Sequence, residues 1–149
     1  MENRNIEQLK KSLQHWSYSA FNTYLQCPLK YRFRYIDNIE PERTGSCFPF
    51  GCAIHSALSY KARENNKVGI VDVQECFADC LKAELSIYDN VKFKEGEDYD
   101  TLLATGNRML EAAVNEWKDD YAVKSVAESF CLDVPGLSKQ LVGEFDCVV

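Results

Sequence analysis

The sequence predicts an α+β domain in which a set of helices comes first and a short run of strands comes last. Three observations carry this. Apolar residues recur at three- and four-residue spacing through the middle of the chain, the texture changes to strand-like runs after Lys124, and no internal repeat or low-complexity segment interrupts the order. With 149 residues, 46% of them hydrophobic and 27% charged, the chain is long and apolar enough to bury a core.

The elements follow in order. Residues 1–16 are a polar lead in which Ile6, Leu9, Leu13 and Trp16 stand at helical spacing. Ser17 and Ser19 are good helix caps ahead of Phe21, Tyr24 and Leu25. Cys27-Pro28 interrupts that pattern, and Pro28 suits the first turn of a new helix running to Ile36, because the missing N–H of proline has no partner to lose there. Asp37 to Pro49 contains Pro41, Gly45 and Pro49 and reads as a loop. Gly51 to about Asn65 is helical, with Ile54, Leu58 and Ala62 on one side. Residues 72–88 repeat the pattern through Val73, Cys76, Phe77, Cys80, Leu81 and Leu85, and Asp89–Gly96 is a polar loop. Asp98 or Asp100 caps a third long helix reaching Trp117. Two strands, Ser129–Val134 and Leu141–Val149, flank a turn at Pro135–Ser138. The domain plan is therefore a helical lead over 1–16, a mainly helical part over 17–124 and a β-hairpin over 125–149.

Charge and composition narrow the function. A net charge of −6 argues against a protein held on nucleic acid by its overall charge, and leaves room for a local basic groove. No apolar run is long enough to span a membrane, and the polar start lacks the apolar stretch of a signal peptide. Seven cysteines in such a setting read as reduced thiols, so the expected location is the cytoplasm and no membrane partner is expected.

Few residues carry chemistry. Asp146 is a lone acid in an apolar strand-like run, and a strand with a buried carboxylate calls for a metal or another cation to offset the charge, the alternative being an edge-strand acid that faces solvent. Glu144 alternates with Phe145 and so shares a sheet face with Asp146. Glu128 precedes the first strand and reads as a surface acid, with an outer-shell role as the alternative. Lys30, Arg32 and Arg34 interleave with Tyr31, Phe33 and Tyr35, a mixture suited to phosphate contacts and base stacking on single strands, or to an ordinary amphipathic helix. Cys76 and Cys80 share a helix face and read as core thiols, while Cys47, Cys52, Cys131 and Cys147 show no ligand spacing.

Three segments together resemble a known family. Ser17–Phe33, with its Ser-x-Ser start and Cys-Pro step into a basic and aromatic helix, Phe50-Gly51-Cys52-Ala53-Ile54-His55-Ser56-Ala57-Leu58, and Gly143-Glu144-Phe145-Asp146 resemble, in order, motifs of the RecB-like and AddB-like branch of the PD-(D/E)XK nucleases. The resemblance covers residues 17–149. It implies a restriction-endonuclease-like sheet of which the hairpin is the first part, and metal-dependent hydrolysis of DNA, single-stranded or at duplex ends, in repair, recombination or phage or CRISPR DNA processing. His55 and Asp146 would be the catalytic metal ligands for Mg2+ or Mn2+, their side-chain tips roughly 5–7 Å apart around one cation. Lys30, Tyr31 and Arg34 would touch nucleic acid. Cys27 would, in some relatives, join three distant cysteines on a 4Fe–4S cluster, and a helicase or a CRISPR or recombination protein would be the partner. No Asp/Glu-x-Lys follows Asp146, so the expectation is the front part of a nuclease domain, inactive by itself. The competing reading is a non-catalytic helical module that binds protein or nucleic acid.

Overall fold

The computed structural model of the chain describes residues 15–64, 67–117 and 122–149. The expected helical lead at Ile6, Leu9 and Leu13 lies outside these residues. In chain order the elements are β1 (His15–Trp16), α1 (Tyr18–Gln26), α2 (Pro28–Tyr31), a π-helical segment (Arg32–Ile36), β2 (Thr44–Gly45), α3 (Cys47–Glu64), α4 (Ile70–Ile87), β3 (Val91–Lys92), α5 (Tyr99–Asn115), β4 (Ser125–Leu132) and β5 (Gln140–Val148). The α+β order that the sequence predicts is the observed one, helices first and the strand pair last. None of the described helices is long and apolar enough to cross a membrane. The residues divide into two compact units, one built from the chain up to Glu40 with Ser129–Phe145, the other from Pro41–Glu128 with Asp146–Val149.

The second unit holds the core. Along α4, Val73, Phe77 and Leu81 recur every fourth residue and are fully buried. They pack on Ala53 and Ala57 of α3 and on Leu102 and Leu110 of α5. Small side chains on α3 let the α4 backbone come close, and α5 does the same with Gly106. A Cβ at Gly106 would overlap the Phe77 ring, so the glycine is the seat on which that ring rests. Phe50 meets the same ring edge-on, with centroids 5.8 Å apart. Each such apolar side chain contributes about 1.5–3 kcal/mol on burial.

Capping sets where the helices begin. The Asp72 carboxylate accepts the Gly69 N–H at 2.8 Å ahead of α4, and Asp98 accepts the Thr101 N–H at 2.8 Å at the start of α5. Helix α3 begins at Cys47, earlier than the expected Gly51, because Pro49 falls in the first helical turn where its missing N–H costs nothing. Ser46 anchors that turn. Its carbonyl accepts from Phe50 N–H, its own N–H donates to the Lys92 carbonyl, and its buried hydroxyl donates to the Glu97 carboxylate. That hydroxyl, with the Lys94 N–H, holds the Glu97 carboxyl below its ordinary pKa. The parallel pairing of β2 with β3 (Thr44 with Val91, Gly45 with Lys92) continues the same tie.

The first unit has a different local logic. Ser17 caps α1 by accepting the Ala20 N–H at 3.2 Å. The expected single helix from Pro28 to Ile36 divides. After Tyr31 the hydrogen bonds lengthen, with Asp37 N–H reaching Arg32 and Ile39 N–H reaching Phe33. Trp16 is not helical as its spacing suggested. His15 and Trp16 pair in parallel with Gln140 and Leu141 of β5, whose open edge offers the backbone partners, and Trp16 stacks on Phe21 at 5.2 Å. At the hairpin tip, Val134-Pro135-Gly136-Leu137 closes with Leu137 N–H on the Val134 carbonyl, and Gly136 takes the positive φ of 91° that a type II turn needs.

The two strands run antiparallel, from Lys124 N–H on the Val148 carbonyl at the base to Cys131 and Gln140 in side-chain contact near the tip. Strand β4 starts at Ser125, ahead of the expected Ser129, so Glu128 lies inside the strand. Ala127 there has φ +57°, the kink of a β-bulge that separates the base of β4 from the rest.

Replacing Gly106 with alanine should cost about 1–3 kcal/mol, since the Phe77 ring has no room to retreat. Urea unfolding checks this, and a variant as stable as the parent would show that the ring moves freely.

Candidate functional site

Helix α3 turns Ala53 and Ala57 into the core, and His55 lies two residues from each. At about 100° per residue it therefore points away from the core to solvent. Gly51 lies one turn before His55 on the same side, and a Cβ placed there would meet nothing within 4 Å. The surface beside the imidazole is bare.

Asp146 comes from the other end of the unit's sequence, on β5. The bond from Lys124 to Val148 sets Val126 opposite Asp146 in the antiparallel register. His55 Nδ1 and Asp146 Oδ1 lie 3.4 Å apart, with side chains 67% and 75% exposed. The sequence-based expectation of a buried carboxylate is corrected. Strand β5 is exposed on both faces from Glu144 to Cys147, with Phe145 and Cys147 open to water as well, so the Asp146 charge is solvated. The two side chains are also closer than expected.

An exposed ion pair of this kind adds at most about 1 kcal/mol to stability. The fold does not depend on it. Its geometry does suit a hard divalent ion, whose octahedral ligands at 2.0–2.1 Å stand about 3 Å apart along an edge. One nitrogen and one carboxylate oxygen fit two such positions. Among the described residues no group of three or more His, Cys, Asp and Glu side chains is placed to hold a metal, so water or substrate would supply the rest.

The neighbouring acids are engaged elsewhere. Glu144 accepts from the Ser129 hydroxyl at 3.3 Å, and Glu128 from the Ser125 hydroxyl. Cys27 N-caps α2, its Sγ accepting the Lys30 N–H at 3.4 Å. Cys76 is half-buried, with its thiol pushed up to about 11, first by burial and then by Cys80, and Cys80 packs against the core. Cys80 is the core thiol that the helical spacing indicated, and Cys76 lies at the margin of the core.

In the first unit, Lys30 and Arg34 are exposed and Tyr31 and Tyr35 stack with centroids 5.1 Å apart. Residues four apart thus still share a face across the junction into the π-helical segment. Tyr24 meets Tyr31 edge-on at 5.4 Å, and the Arg34 guanidinium lies 5.6 Å from the Tyr35 ring centroid. Arg32 is tied to Asp37 at 3.2 Å.

Gly143 serves packing. A Cβ at this position would lie 2.5 Å from Phe130 Cζ, so the glycine admits the ring that pairs with Phe145 at 4.9 Å. Sequence reasoning passed over Val126, because only the strand register identifies it as the neighbour of Asp146.

A family model described as the PD-(D/E)XK nuclease superfamily matches residues 15–149. No curated protein and no solved structure matches the chain.

Gly143→Ala should displace Phe130 and weaken its pairing with Phe145, at about 0.5–1.5 kcal/mol. Denaturant unfolding measures this, and a gain in stability would show that strand propensity outweighs the lost ring contact.

Proposed function

The chain belongs to the PD-(D/E)XK nuclease superfamily, and from that premise we propose that it carries part of a metal-dependent nuclease of the RecB-like kind, inactive without an Asp/Glu-x-Lys motif, in which His55 and Asp146 hold the divalent cation. The observation that carries this reading is the 3.4 Å approach of an imidazole and a carboxylate that lie 91 positions apart in the sequence and that the core does not need. Members of the superfamily are nucleases that use Mg2+ or Mn2+, and DNA is their substrate.

When bound, the cation would neutralise phosphate charge and lower the pKa of a water. The chain's own residues set the geometry around it. The buried Ala53/Ala57 face fixes α3, and so fixes the direction of the imidazole. Exchange of backbone bonds between β4 and β5 holds Asp146 against it. Bare backbone at Gly51 leaves room for a phosphate beside His55.

A second element of the proposal is a surface for the DNA chain on Lys30, Tyr31 and Arg34. The stacked Tyr31 and Tyr35 rings offer a flat aromatic edge, and Lys30 and Arg34 supply cations on the adjoining side. Arg32 is occupied by Asp37 and takes no part.

Titration of the protein with Mn2+, followed by the loss of the free-ion EPR signal, should show binding that weakens roughly tenfold or more in Asp146→Asn and in His55→Ala. Equal binding by parent and variants would leave the two residues as a plain surface ion pair and remove the metal reading.

Lys30→Ala with Arg34→Ala should lower affinity for a single-stranded oligonucleotide and reduce the slope of log K against log salt by about 0.7 per lost phosphate contact. Arg32→Ala should change neither. A folded double variant with the parent's slope would assign this segment to scaffold.

A further inference from the structure

The second unit contains a cleft of about 450 Å³ where the last turn of α3 comes beside the first residues of β4. Arg63, Lys67 and Lys124 line it with the Ser125 hydroxyl, and Glu64 is the one carboxylate among the lining residues. All three cations are exposed, and no part of the core requires them. Arg63 suits the negative end of α3, but Lys67 lies beyond that helix and Lys124 arrives with the hairpin. Cations from two distant segments of the chain therefore converge in a protein whose net charge is −6. Lys124 gives one N–H to the Val149 carbonyl at 3.4 Å, and an ammonium carries three donors.

The cleft adjoins the His55–Asp146 pair along both elements that carry it. Ala62, on the cleft wall, is seven residues from His55 and so lies on the same face of α3, roughly 10 Å along the axis. Val126, also on the wall, stands opposite Asp146.

We infer that this cleft is a subsite for backbone phosphate of a nucleic-acid strand, holding the chain beside the phosphate at His55 and Asp146. The inference rests on the nuclease reading for the identity of the strand. Arg63 offers a planar fork to phosphate oxygens, and Lys67 and Lys124 act as point charges. Such contacts fix register without reading sequence.

The test is anisotropy of a fluorescein-labelled single-stranded oligodeoxynucleotide, titrated with the protein over a salt series in EDTA. Lys67→Ala with Lys124→Ala should lower the salt slope by about 1.4, twice the single-strand value of ~0.7, and Arg63→Gln by a further ~0.7. Lys67→Glu with Lys124→Glu should weaken binding more than the alanines do. An unchanged slope in the double alanine variant, or no binding by the parent, overturns the inference. Release of the oligonucleotide by micromolar inorganic phosphate overturns it in favour of a small-anion site. A lowered slope combined with Mn2+ binding that ignores Asp146→Asn supports the cleft while removing the metal reading, so the two fail separately.

Discussion

Burial of the Phe77 ring is the constraint on which the second unit depends. The ring fits because Gly106 has no side chain under it and because Ala53 and Ala57 keep α3 close. This packing fixes the rotation of α3 about its own axis. With Ala53 and Ala57 turned inward, the residue between them must point to water, and that residue is His55. A functional direction thus follows from a packing requirement, with no hydrogen bond dedicated to it.

The candidate site itself is weak as a structural element. His55 and Asp146 are solvated, add little to stability, and meet because two well-held elements bring them together. The division of labour is physical. Apolar burial and the backbone ladder between β4 and β5 supply the free energy, and the pair keeps the exposure that a cation and a phosphate would need. Ser46 does comparable work at the start of α3, where its hydroxyl and backbone join the first turn to the loop before α5.

Much of the fold was legible. Helices α4 and α5 announce themselves by apolar spacing and by Asp98 at the cap, and the Pro135-Gly136 turn by its chemistry. Boundaries were less so. Pro49 looked like a loop residue until its place in the first turn of α3 made it harmless, and Trp16 followed a helical rhythm while pairing as a strand. Asp146 looked buried because its sequence neighbours are apolar, but Phe145 and Cys147 are themselves exposed, and burial is decided by what covers the strand rather than by its composition.

By itself the sequence determined the order of helices and strands and the residues able to fill a core, because periodicity and capping are local properties, while His55 and Asp146 were singled out by resemblance to a family. Only the tertiary structure decided that the pair meets at 3.4 Å in the open, that Val126 faces Asp146, and that Arg63, Lys67 and Lys124 line one cleft. Those are juxtapositions of residues up to 91 positions apart, set by how helices pack and strands register. No local pattern in a chain records them.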